Sequence, residues 1–189
     1  MFIAEASFRD WVAAIPAGAA ISLYMHVPFC RRLCWFCACR TQGTQSDDPV
    51  RAYAEVLLAE LAMLRKALAP GVRLSRLHWG GGTPTFLSHS EMRQLMGETR
   101  KHFKLLDGGE YSIEVDPRKV DYETVALLGE LGFNRMSVGV QDFDEKVQVA
   151  VNRVQSEEET ALVINAARAN GFKSVSVDLI YGLPYQTVM

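Results

Sequence analysis

Two stretches of the chain, "LGELGFNRMSVGV" (128–140) and "ARANGFKSVSVDL" (167–179), align on Gly132 and Gly171, 39 positions apart. Each reads as a helix end, a glycine suited to a left-handed cap, an aromatic residue and then a strand. "APGVRLSRLHW" (69–79) is a looser third copy. A repeating unit of this size predicts parallel strands joined by right-handed crossovers. The class is therefore α/β, either a barrel or an open sheet. Strands are expected at 21–27, 74–79, 110–115, 135–141 and 174–180, with helices at 49–68, 89–104, 121–131 and 156–169. The 49–68 helix starts after "SDDP". Residues 1–20 read as a lead segment and 21–189 as one core, since 189 residues fit a single domain with a real interior.

Parallel strands covered on both faces usually carry continuous apolar runs. These alternate instead. Leu23, Met25, Val27, Ile113, Val115, Met136, Val138, Val140, Val175, Val177 and Leu179 share one face, which helices should cover. The opposite face carries Tyr24, His26, Ser112, Glu114, Asp116, Ser137, Gln141 and Asp178. Burying unpaired polar groups is costly, so this face must line something wet or ligand-filled. Glu114, Gln141 and Asp178 fall near the C-terminal ends of their strands, where sites on α/β sheets form.

The first strand runs into "CRRLCWFCAC", which holds all four cysteines within ten positions. A disulfide staple, a zinc site and an iron–sulfur cluster compete for this loop. A bridge within ten residues would constrain little of the unfolded chain. Structural zinc usually takes two separated pairs or added histidines, and the histidines at 26, 78, 89 and 102 lack finger spacing. Three thiolates suit three irons of a [4Fe–4S] cluster, with one iron left open. After the second strand, "HWGGGTPT" (78–85) removes side chains at Gly80, Gly81 and Gly82, which lets backbone approach a ligand. It is neither a dinucleotide fingerprint nor a P-loop. His26 points to the same mouth; His89 and His102 read as surface groups, and Arg31 and Arg32 as a solvated pair.

Bulk properties exclude several classes. Net charge is −2 and the twenty basic residues are scattered, so no nucleic-acid partner is expected. No apolar run approaches a membrane span, and the N-terminus lacks the basic region of a signal peptide. A cytoplasmic setting, where thiols stay reduced, is expected.

The C-x3-C-x2-C spacing with Phe36 before the third cysteine resembles the radical S-adenosylmethionine (SAM) superfamily. That resemblance implies a partial (β/α)6 barrel, a [4Fe–4S] cluster on Cys30, Cys34 and Cys37, and S-adenosyl-L-methionine on the open iron. More narrowly, "YMHVPFCRRLCWFCAC", "LHWGGGTPT", "IEVDPR", "GFNRMSVGVQDF", "VNRVQ" and "DLIYGLP" resemble the oxygen-independent coproporphyrinogen III oxidases. These heme-biosynthesis enzymes convert two propionates to vinyl groups with loss of carbon dioxide, giving protoporphyrinogen IX. The resemblance implies two SAM molecules. Tyr24, Gly81 and Glu114 match contacts to the first; Phe36, Gly82, Thr83, Gln141, Arg153 and Asp178 match contacts to the second. It ties Cys39 to activity, and we group His26 with it as a candidate catalytic residue. Implied partners are a porphyrinogen substrate and an electron donor such as flavodoxin or ferredoxin. A heme-binding chaperone of the same superfamily is the alternative, with Cys39 as the discriminator. The barrel is expected to hold about five strands and to be incomplete at its C-terminal end, as in a fragment or a chain completed by another.

Overall fold

The five expected strands form one parallel sheet in the computed structural model, which describes residues 5–187. In chain order the elements are α1 (Glu5–Ala13), β1 (Ala20–Val27), β2 (Phe29–Cys30), β3 (Gln42–Gly43), α2 (Asp48–Ala67), β4 (Arg73–Gly81), α3 (His89–His102), β5 (Lys104–Val115), α4 (Tyr122–Glu130), β6 (Arg135–Gln141), α5 (Glu145–Ala150), α6 (Glu157–Ala169) and β7 (Ser174–Leu179). The sheet order is β1-β4-β5-β6-β7, so each strand lies beside its predecessor in the main sheet. Every pairing is parallel. This is the partial barrel expected.

Local chemistry explains where the elements begin and end. Gly71, Gly132 and Gly171, the three aligned glycines, all have positive φ, so each repeat turns from helix to strand through a conformation glycine tolerates best. Ser88 with Glu91 and Ser156 with Glu159 form complete capping boxes on α3 and α6. The helix expected to reach residue 104 stops at His102, because buried Phe103 adopts extended backbone and Lys104 opens β5. β5 is also longer than expected. It continues through an irregularity near Gly108 and Gly109 that reads in sequence as a break.

The apolar face packs as the alternation predicts over most of the sheet. Leu74, Leu77, Trp79, Ile113, Met136 and Val138 belong to one core with residues of α2, α3, α4 and α6. Trp79 is fully buried, edge-on to Phe133 at 5.0 Å. Side chains of this kind each stabilise the fold by about 1.5–3 kcal/mol. β7 departs from the expectation: Val177 and Leu179 are 43% and 67% exposed. Alternation along a strand is set locally, but cover comes from neighbouring elements, and no described helix lies over this end of β7. α1, α5 and the small β2/β3 pair were not expected from sequence; they are too short for a clear periodicity.

Candidate active site

Pro28 follows β1, and the chain enters a loop that carries all four cysteines and closes through the β2/β3 pair. The loop is pinned from across the sheet. Trp35 N–H donates to Val151 O (3.0 Å), and Asn152 Nδ2 donates to Leu33 O (2.7 Å). Asn152 has φ +57, in the left-handed region that Asn tolerates better than most residues. The short helix α5 thus ends in a turn that holds the cysteine loop.

A cavity of about 290 Å³ lies under this loop at the C-terminal ends of the strands. Cys30, Cys34, Cys37 and Cys39 line it with Phe36. So do Gly81, Gly82 and Thr83 after β4, Glu114 on β5, Gln141 on β6, Arg153 after α5, and Asp178 on β7. Twelve of the fourteen residues singled out from sequence therefore share one wall-to-wall cavity. Tyr24 and His26 do not line it. They face a neighbouring groove beside α1 and α2. Tyr24 Oη lies 2.8 Å from His26 Nδ1, and His26 Nε2 lies 2.9 Å from Arg40 O, so this pair braces the far end of the cysteine loop.

The three glycines make room for protein groups. A Cβ at Gly80 would stand 2.8 Å from Glu114 Oε1, one at Gly81 2.7 Å from the His26 ring, and one at Gly82 2.7 Å from Phe29 O. Gly81 also has φ +115. Gly82→Ala is expected to destabilise the protein by about 1–3 kcal/mol, because the clash is with backbone and cannot be relieved by a rotamer change. Urea denaturation checks this, and wild-type stability in the variant would contradict the packing described.

Glu114 is the centre of a polar relay. Its Oε1 is 3.1 Å from His78 Nε2, its Oε2 accepts from Gly81 N–H at 3.0 Å, and His78 Nδ1 meets Ser112 Oγ at 2.6 Å. Burial opposes ionisation of Glu114, but the bonds from His78 and Gly81 outweigh it and hold the carboxyl below its usual range. Glu114 is thus an anion at neutral pH, facing the cavity. Asp178, at the far wall, accepts from Ser137 Oγ through both carboxylate oxygens at 2.8 Å. Gln141, between them, has φ +71 at a register break between β6 and β7. A non-glycine residue held there stores strain, which concentrates at functional sites.

The cysteine thiols sit in contrasting surroundings. Cys30 meets Thr83 Oγ1 at 3.4 Å, and burial pushes its thiol up. Partial desolvation, and after it the neighbouring Cys37 thiol, raises that of Cys39, which is itself largely exposed. Cys34 faces two guanidiniums, Arg153 Nη1 at 3.4 Å and Arg118 Nη2 at 3.7 Å. Arg118 is clamped by Asp116, with Nε to both carboxylate oxygens at 2.9 and 3.1 Å. Arg153 lies 3.6 Å from the same carboxylate. Burial opposes ionisation of Asp116, yet the bond from Arg118 and the charges of Arg153 and Arg118 hold it below its ordinary value.

A sequence model of the Radical SAM superfamily matches residues 24–188. The chain belongs to the radical SAM superfamily. It is 60% identical to the oxygen-independent coproporphyrinogen III oxidase of Paracoccus denitrificans over 97% of its length, and 51% identical to that of Cereibacter sphaeroides over 98%. Its fold matches a solved Escherichia coli coproporphyrinogen III oxidase, described as a radical SAM enzyme, with a TM-score of 0.92, 43% identity and 98% of the chain covered. The chain spans about two fifths of the length of each of these relatives: 41%, 41% and 42%.

The donor set suits the cofactor of a radical SAM protein. All four cysteines are free. Among the described residues no three His, Cys, Asp or Glu side chains converge tightly enough for one metal ion. A cubane instead spreads its thiolates over separate iron corners, and these thiols ring a cavity rather than a point. Among the same residues no helix is long and apolar enough to cross a membrane. Sequence reasoning missed His78, Asp116 and Arg118 as site residues. "DPR" after a strand carries a weak signal for the last two, because Asp at a strand end followed by Pro caps the next turn.

Proposed function

We propose that this chain is the cluster- and SAM-binding part of an oxygen-independent coproporphyrinogen III oxidase, acting in oxidative decarboxylation of coproporphyrinogen III propionates to vinyl groups. The single observation that carries the reading is the shared cavity, where a four-cysteine loop faces acids and an amide from three different strands. A [4Fe–4S] cluster on Cys30, Cys34 and Cys37 would supply the electron that cleaves SAM to methionine and a 5′-deoxyadenosyl radical. The chain's own residues bind and orient. Glu114, ionised and fixed by His78 and Gly81, suits the amine or ribose hydroxyls of a first SAM, with Tyr24 and Gly81 nearby. Phe36, Gly82, Thr83, Gln141, Arg153 and Asp178 suit a second. Arg153 is a match for a carboxylate, and its Nε is buried without a partner. Cys39, exposed and free, stands beside the cluster ligands rather than among them. A porphyrinogen substrate and a low-potential electron donor such as flavodoxin or ferredoxin complete the set of partners.

Anaerobic reconstitution of the chain with iron and sulfide tests the reading. The expected result is charge-transfer absorption in the visible and 5′-deoxyadenosine on adding SAM and dithionite. Stoichiometric zinc without that absorption overturns the cluster. Heme retention with cluster present and no 5′-deoxyadenosine overturns the oxidase in favour of a chaperone.

A further inference from the structure

Cys34 differs from its fellow cysteines in what surrounds its sulfur. Two N–H donors from guanidiniums approach it, Arg153 Nη1 at 3.4 Å and Arg118 Nη2 at 3.7 Å. Cys30 instead meets the neutral hydroxyl of Thr83, and Cys37 and Cys39 are exposed. Both guanidiniums stay charged at any working pH. Asp116 offsets one of them, which leaves one net positive charge beside Cys34. The three side chains are only 12%, 9% and 12% exposed (Arg118, Arg153 and Asp116), so solvent screens that charge weakly. Arg118 is aimed as well as charged. Its Nε is locked onto both oxygens of Asp116, and its Nη2 spans from Asp116 Oδ2 to the sulfur.

Iron–sulfur potentials follow net charge, hydrogen bonds to the ligand sulfurs and solvent exposure. A buried cation that donates to a ligand sulfur favours the reduced cluster, which carries one more negative charge. We propose that Arg118, clamped by Asp116, is a positioning residue that acts through Cys34 to raise the cluster's reduction potential. This rests on the cluster reading above and goes beyond it, since it assigns a residue outside the ligand and SAM-contact sets. The motif "DPR" then has a purpose: Asp and Arg two apart grip each other, and the turn between them delivers the guanidinium to the cysteine loop.

The test is an EPR-monitored redox titration of the reconstituted chain. Arg118→Gln is expected to lower the equilibrium constant for cluster reduction about tenfold, a shift of about 59 mV to more negative potential. Arg118→Lys keeps the charge but not the fork, and should shift it less. Arg32→Gln removes an exposed cation of the cysteine loop that lines the same cavity without donating to a cysteine sulfur, and should change the constant less than twofold. A change below twofold in Arg118→Gln, or an equal change in Arg32→Gln, overturns the proposal. Loss of iron from both Arg118 variants overturns it in favour of a structural latch. A wild-type chain that takes up no cluster defeats the earlier reading instead, and is told apart by its missing EPR signal before any variant is compared.

Discussion

Cys34→Ser is expected to abolish iron and sulfide loading and to cut SAM cleavage more than ~100-fold. Changes to groups that merely support a metal ligand already cost about 10–100-fold, and on the proposed ligand set this change removes a ligand itself. A serine oxygen is hard and poorly matched to cluster iron. Cys34 also cannot be replaced by its neighbour. Its sulfur is the one placed against Arg118 and Arg153, whereas Cys39 lies exposed beside Cys37. Cys39→Ser is accordingly expected to keep the cluster, with iron and sulfide content unchanged. Iron and sulfide assays of both variants check the contrast. Full iron content in Cys34→Ser, or loss of iron in Cys39→Ser, would mean that the ligand set has been drawn on the wrong cysteines.

Asp116→Asn should lower folding stability by about 3–5 kcal/mol at neutral pH, the range found when one partner of a buried ion pair is removed. Arg118 and Arg153 would be left buried with no carboxylate between them. The effect has a defined pH dependence. The folded state depresses the Asp116 pKa, so its stabilisation is fully present above the ordinary value near 4 and is lost as pH falls through the depressed folded value. The gap between wild type and Asp116→Asn in urea denaturation should therefore be constant from about pH 5 to 7 and shrink below about pH 4. A gap that widens on acidification would show that Asp116 is not ionised in the folded protein.

Much of the architecture was readable because its signals are local. Period-two alternation assigns each side chain of β1, β5 and β6 to a face without reference to any other strand. Gly71, Gly132 and Gly171 mark turns because a positive φ is a property of one residue. The four thiols were already neighbours along the chain. The pairing of Glu114 with His78, 36 residues apart, was hidden, as was that of Cys34 with Arg153, 119 apart. Such contacts depend on strand register and on where α5 ends, and neither is encoded at the positions that meet. β7 shows the same divide, since Val177 and Leu179 alternate as predicted yet lie exposed.

The amino-acid sequence by itself determined that parallel strands would repeat, that their polar face would open on a cavity, and that cysteines would stand at its rim. These follow from side-chain period, glycine conformation and the short reach of a ten-residue loop. Only the tertiary structure decided the electrostatics of that rim. Burial and register brought Arg118 and Arg153, held by Asp116, against a single sulfur, and charges interact through space, at distances that adjacency in the chain does not set.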